Sequence, residues 1–204
     1  MKKTEFTKTA IINSTVKLLK ANGKVTIKEI SDDAGVNIAA INYHFIDKKS
    51  LISVVIRRTI SDFKKIADNL VANLAELNTH PEETISAFFN AFHEYCAENI
   101  NVINFMLAPE NVEYNNYFNK TVSQMFSTDS DLCFKVISYM RATSAASDNE
   151  LKARYLVLLS TFLTPFFSTF NILNGNHFGQ IFNLNDQEFK KLYIEQIVRI
   201  IKSK

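Results

Sequence analysis

The sequence predicts an all-α protein, and three observations carry that prediction. Only four glycines and three prolines punctuate 204 residues, too few turn formers for a β-sandwich or barrel. Apolar residues recur at three- and four-residue spacings along most of the chain, the period of an amphipathic helix. Start and stop signals bracket those stretches: Thr26 three residues before Glu29, Asn37, Asp47, and Pro81 before Glu82 and Glu83 as starts, Gly23 and Gly35 as stops.

The first predicted helix runs from about Thr4 to Asn22, with Ile11, Thr15 and Leu18 in register and Gly23 ending it. The next stretch, TIKEISDDAGVNIAAINYHF from Thr26 to Phe45, organises the chain. Thr26 and Glu29 form a capping box, each side chain taking an orphan backbone N–H. Ile27, Ile30 and Ala34 make one apolar stripe, and Gly35 stands where the backbone must turn through positive φ. Asn37 caps a second short helix whose Ile41 and Phe45 face inward. Opposite them lie Ile38, Ala39, Asn42 and Tyr43, a face of small, amide and aromatic groups. Such a layout suits a helix-turn-helix whose second helix enters the DNA major groove.

Asp47 caps a long fourth helix with Leu51, Val55, Phe63, Leu70, Leu74 and Leu77 on its buried side, reaching about Leu77. A helix from Pro81 carries Ile85, Phe88, Phe89, Phe92 and Tyr95, and a shorter one spans about Ile100 to Leu107. Pro109 to Tyr117 is polar and Asn-rich and reads as a loop. Helical stretches at about Phe118–Phe126 and Ser130–Arg141 precede a polar break, TSAASDN. Leu151, Tyr155, Leu158, Phe162 and Phe166 define a long helix with Pro165 a kink site; NILNGNHFGQIFNLND reads as a loop; Phe189, Leu192, Gln196 and Ile200 define the last helix.

Composition narrows the function class. Hydrophobic residues at 47% against 22% charged indicate a packed globular chain, not a disordered one. With no apolar run of 18 residues no membrane partner is expected, and Lys2 and Lys3 lead into polar residues rather than a secretory h-region. Two cysteines, Cys96 and Cys133, are too few for a disulfide framework and point to a reducing cytoplasm. The net charge of +2 hides an asymmetry: residues 1–58 carry 11 Lys and Arg against 5 Asp and Glu, whereas the remainder is net acidic. A basic head on an acidic body suits a nucleic-acid partner, and Lys2, Lys3 and Lys8 lie where they could reach phosphates.

No catalytic set stands out: GxSxG, GxxxxGK[ST], HExxH and paired CxxC are all missing, so an enzyme is not expected and no cofactor is implied. His93 and Cys96 share a helical turn, but a zinc site needs at least three protein ligands and the sequence names no third.

At Ile11, Leu18, Leu19, Gly23, Thr26, Ile30, Ala34, Gly35, Val36, Tyr43, His44, Phe45, Lys48 and Leu51 the chain resembles the tetracycline-repressor (TetR) family of bacterial transcription regulators. The match covers the first quarter of the chain, with two departures. Asn42 stands where many members have a tyrosine, and Ser14 and Thr15 replace paired alanines. The resemblance implies about nine helices in two domains: a DNA-binding domain over residues 1–47 and an effector-binding and dimerisation domain over 48–204. It implies phosphate contacts from Tyr43, His44 and Lys48, with Thr26 and Asn37 at the helix starts beside the DNA. Asn42 can pair with adenine, and Ile38 and Ala39 suit the thymine methyl. A pocket for a small apolar effector is implied among the fourth through eighth helices, with Phe88, Phe92, Phe105 and Phe126 as walls and His93, Tyr95 and Tyr139 as polar groups. The last two helices are expected to pair in a homodimer through Leu158, Phe162, Leu192 and Ile200, which would place two recognition helices on a palindromic double-stranded operator. The competing expectation is a helical interaction protein that regulates no promoter; affinity for its own upstream DNA separates the two.

Overall fold

The structure, a computed structural model, describes residues 2–169 and 186–202. Nine α-helices and two short 3-10 turns make up the ordered elements among the described residues, with no strand. The helices are α1 (Lys2–Asn22), α2 (Ile27–Ala34), α3 (Ile38–His44), α4 (Lys48–Ala72), α5 (Pro81–Leu107), α6 (Val112–Phe126), α7 (Asp131–Thr143), α8 (Asp148–Thr169) and α9 (Gln187–Lys202). The side chains of Lys2, Lys3 and Phe166 lie outside the described residues, as does the stretch read as a loop before α9, except for its last residue, Asp186.

Three boundaries differ from the sequence reading. The fourth helix stops at Ala72 and a 3-10 turn, Leu74–Asn78, replaces its expected last turn. The two helices expected between Pro81 and Leu107 are one helix of 27 residues. The expected loop from Pro109 to Tyr117 is a 3-10 turn, Pro109–Asn111, followed directly by α6. Its asparagines serve helix ends: Asn111 Nδ2 donates to Phe105 O at 2.8 Å and Asn115 Nδ2 to Leu107 O at 3.4 Å, satisfying carbonyls that α5 leaves unpaired.

The chain divides into two compact units, and the division does not fall at residue 47. One unit takes in the chain as far as Asp62 together with Glu98–Asn119; the other comprises Phe63–Ala97 and the chain from Lys120 on. Within the first unit α1 packs across α2 and α3. Ile11, Leu19, Ile30, Ile41, Phe45 and Leu51 are buried there, with Val55, Ile56, Val102 and Met106. The 98–119 segment belongs to this unit for identifiable reasons. Asn101 Nδ2 donates to Lys20 O at 2.8 Å and Ala21 O at 3.2 Å, closing the C-terminus of α1 beside Gly23. Phe105 packs on Tyr114 with ring centroids 5.5 Å apart, and Lys49 pairs with Glu113.

In the second unit α7, α8 and α9 pack on one another. Leu77, Ile85, Phe89, Met140, Leu151 and Ile197 sit at the centre of one apolar cluster. Helix starts again follow local chemistry: Ser130 Oγ accepts from Cys133 N, and Asp186 Oδ1 accepts from Glu188 N and Phe189 N. The Tyr193 hydroxyl donates to Thr161 O at 2.6 Å, tying α9 to α8, and burial pushes its pKa up to about 12.

Candidate functional site

The helix-turn-helix is assembled from three caps. At its entry Thr26 Oγ1 accepts from Glu29 N at 3.2 Å while Glu29 Oε2 accepts from Thr26 N at 2.7 Å, so both halves of the capping box form. These hydrogen bonds hold the Glu29 carboxyl below its ordinary range. At the turn Gly35 adopts φ +64, with Val36 N donating to Ser31 O and Gly35 N to Asp32 O, the paired bonds of a Schellman motif. Nothing lies within 4 Å of where a Cβ on Gly35 would be, so glycine is required there by its backbone angle and not by crowding. At the exit Asn37 Oδ1 accepts from Ala40 N at 2.7 Å, starting α3.

Ser14 and Thr15 find their explanation here. Both are buried; Ser14 Oγ donates to Asp33 Oδ2 at 2.8 Å and Thr15 Oγ1 to Ile11 O at 2.8 Å. Lys17 pairs with the other oxygen of Asp33, and Lys17 followed by Ser14 depresses that carboxyl. Ser14 thus forms a polar link between α1 and α2.

The resulting outer face of α3 matches the reading from sequence. Ile41 and Phe45 are buried, while Ile38, Ala39, Asn42 and Tyr43 are exposed, Tyr43 to 79%. His44 is half-buried, its ring edge-on to Tyr43 at 5.2 Å. Thr26 and Asn37 are exposed but engaged in caps, so any nucleic-acid contact they make is shared with that duty. Lys48 is exposed at the start of α4, where Asp47 Oδ1 accepts from Ser50 N at 2.7 Å. Sequence reasoning passed over Ile46, which is 93% exposed between the two helices. An apolar residue beside a capping Asp was the signal.

The second unit holds a small, apolar cavity of about 40 Å³. Phe63, Ile66 and Leu70 of α4, Phe88 and Phe92 of α5, Phe126 of α6, Leu132 and Val136 of α7, and Tyr155, Leu158, Leu159, Phe162 and Leu163 of α8 line it, with Ala67. Phe88, Phe92 and Phe126 therefore stand where the pocket was expected. The other four expected pocket residues do not line it. Phe105 belongs to the first unit, because α5 passes from one unit into the other at residue 98. Tyr139 instead donates to Asn78 Oδ1 at 3.0 Å. Tyr95 lies against Phe63 at 6.2 Å, outside the lining. His93 stacks on Phe89, and burial followed by the nearby Lys190 lowers its pKa and favours the neutral ring. The sequence reading missed Tyr155, the only one of the described lining residues with a polar side chain. Its hydroxyl is buried without a hydrogen bond, although Ser130 and Cys133 lie near enough to affect its acidity; burial foremost raises its pKa to about 12.

Among the described residues no cluster of three His, Cys, Asp or Glu could hold a metal, and burial pushes the Cys96 thiol up to about 12, away from the thiolate a metal needs. No described helix is long and apolar enough to cross a membrane.

Of the expected interface residues, Leu158 and Phe162 are buried within the chain itself and have no surface to offer a partner; one helical face cannot serve the core and an interface at once. Leu192 is 50% exposed and Ile200 half-buried. Among its described side chains, α8 presents Leu156 and Val157 as apolar surface, residues the stripe of spaced phenylalanines drew attention away from.

No protein-family model, no curated protein and no solved structure matches this chain.

Two expected outcomes follow from the head. Gly35→Ala should destabilise it by about 1–2 kcal/mol, the cost of a left-handed residue with a Cβ, read from urea denaturation. Acidification should weaken the same unit. Glu29, Asp33 and Asp47 all have folded pKa values below their ordinary 4.5 and 3.8. Their stabilisation is present above those ordinary values and is lost as pH falls through the folded ones. Thermal unfolding at pH 7 and at pH 3 should show the loss, and Asp33→Asn should reduce the difference.

Proposed function

We propose that this chain is a TetR-like DNA-binding transcriptional regulator of the bacterial cytoplasm, a homodimeric repressor released from its operator by a small apolar effector. The observation that carries the reading is the division of α3: Ile41 and Phe45 hold the helix to its unit, while Ile38, Ala39, Asn42 and Tyr43 take no part in the core. A seven-residue helix capped at its start and presenting four such side chains outward has the form of a recognition helix. The helix carries no Lys or Arg, so phosphate anchoring falls to Tyr43, His44 and Lys48, and base reading to Asn42 against adenine and Ile38 and Ala39 against thymine methyls. The operator is accordingly palindromic with A·T-rich half-sites about one DNA turn apart, roughly 34–36 Å.

Dimerisation is assigned to the outer surface of α8 and α9, where Leu156, Val157 and Leu192 are exposed. A two-fold interface doubles an introduced charge, so Leu156→Glu should give monomers by light scattering and abolish operator binding. A monomeric wild type at micromolar concentration would remove the two-half-site reading.

Selection from random duplexes tests the DNA assignment. Asn42→Ala should relax preference at one adenine per half-site, by roughly 1–3 kcal/mol. Lys48→Ala should weaken all sequences alike and lower the salt slope by about one. A G·C-rich consensus, or one unchanged by Asn42→Ala, would rule the assignment out, and absence of any DNA affinity would leave the helical interaction protein.

A further inference from the structure

The apolar cavity is too small for an effector. At about 40 Å³ it holds a water or two, whereas small-molecule sites run to several hundred. On the other side of one wall lies an open groove of about 620 Å³ between the end of α4, the Leu74–Asn78 turn and the start of α5. Ile66, Leu70 and Phe88 line both spaces. Phe88 is the side chain of that wall best able to move. It is half-buried, and its ring rests edge-on against Phe162 at 4.8 Å and tilted against Phe92 at 6.4 Å. No polar bond pins such a ring, so it turns at the expense of aromatic contacts that an apolar ligand can replace.

The two spaces differ in chemistry. The cavity is apolar on all sides except for Tyr155, so any charge entering it would be desolvated without a partner. The groove's lining is mixed: apolar Ile66, Leu70 and Phe88 stand beside polar groups that include the exposed carboxylates Glu76 and Glu83, one lysine, Lys65, and His80. An anionic head group there meets two like charges.

We propose that groove and cavity are the two halves of one ligand site, joined when the Phe88 ring swings aside, and that its ligand is an amphiphile with an uncharged apolar body and a head that is neutral or positive, not anionic. The apolar body displaces the Phe88 ring and lies among the phenylalanines; the head stays in the groove. This deepens the regulator reading, because it gives the chemical class of the effector. Its test reads ligand binding alone, so it fails separately from DNA binding.

The probe is N-phenyl-1-naphthylamine, a neutral apolar fluorophore that brightens out of water, displaced from the full chain by ten-carbon competitors below their micelle concentrations at pH 7.5. Decanol and decylammonium should displace it at concentrations at least about tenfold lower than decanoate. Replacing both acids, Glu76→Gln with Glu83→Gln, should shrink the gap between decylammonium and decanoate while leaving decanol unchanged. Phe88→Ala should speed probe uptake several-fold in stopped flow, and Leu159→Trp, which fills the cavity, should abolish probe binding with helical circular dichroism retained. Equal potency of the three competitors would overturn the head-group assignment. Unaltered uptake in Phe88→Ala would overturn the gate, and full probe binding by Leu159→Trp would show that the body does not enter the cavity.

Discussion

The positive φ at Gly35 is the constraint on which the first unit depends. Helices of eight and seven residues are too short to persist in water alone, because nucleation is costly and each leaves most of its end groups unpaired. Here the ends are satisfied in sequence: Thr26 and Glu29 at the entry, the two bonds across Gly35 at the turn, Asn37 at the restart. Once the turn is fixed, the registers of both helices are fixed with it. Ile30 and Ile41 then reach the same core, and Asn42 and Tyr43 are left outside. The exposed face is therefore a consequence of the turn as much as of the residues that form it.

That locality explains what was legible. Caps, turn and restart are encoded within twenty residues, so the helix-turn-helix and its inward and outward faces were readable before any coordinates. The unit it belongs to was not. Residues 98–119 join it through Asn101 on the end of α1 and Tyr114 with Glu113 beside Lys49, pairings 65 and 80 residues apart in sequence that no local pattern announces. The Asn-rich stretch after Pro109 misled for a related reason. Asparagine favours turns, yet Asn111 and Asn115 are used to close α5 while the chain is already entering α6.

The phenylalanines show the limit more sharply. Spacing at three and four residues identifies a buried stripe but not what the stripe encloses. Phe89 sits in the packed cluster and Phe88 and Phe92 on the cavity wall, although they are neighbours on one helix. Tyr155 was read as one more member of the α8 stripe, and its hydroxyl became notable only when seen buried without a hydrogen bond. A hydroxyl in that position fills space like a phenylalanine at a higher energetic cost, which is a reason to look for its use beyond packing.

A cavity of about 40 Å³ also bears on how a bound ligand acts. A ligand shifts a conformational equilibrium only by as much as its affinities for the two states differ. A ligand that fitted a ready-made cavity and left its walls in place would shift nothing, however tightly it bound. Here the cavity has room for little more than water, so any larger ligand binds only a state in which wall side chains have moved. The difference in affinity is thus built into the packing. Two walls of that cavity belong to α4, through Phe63, Ile66 and Leu70, and α5, through Phe88 and Phe92. The same α4 supplies Leu51, Val55 and Ile56 to the core behind the helix-turn-helix, and the same α5 supplies Val102 and Met106. The two helices that contribute these walls therefore also contribute to the core of the first unit, so α4 and α5 each run through both units.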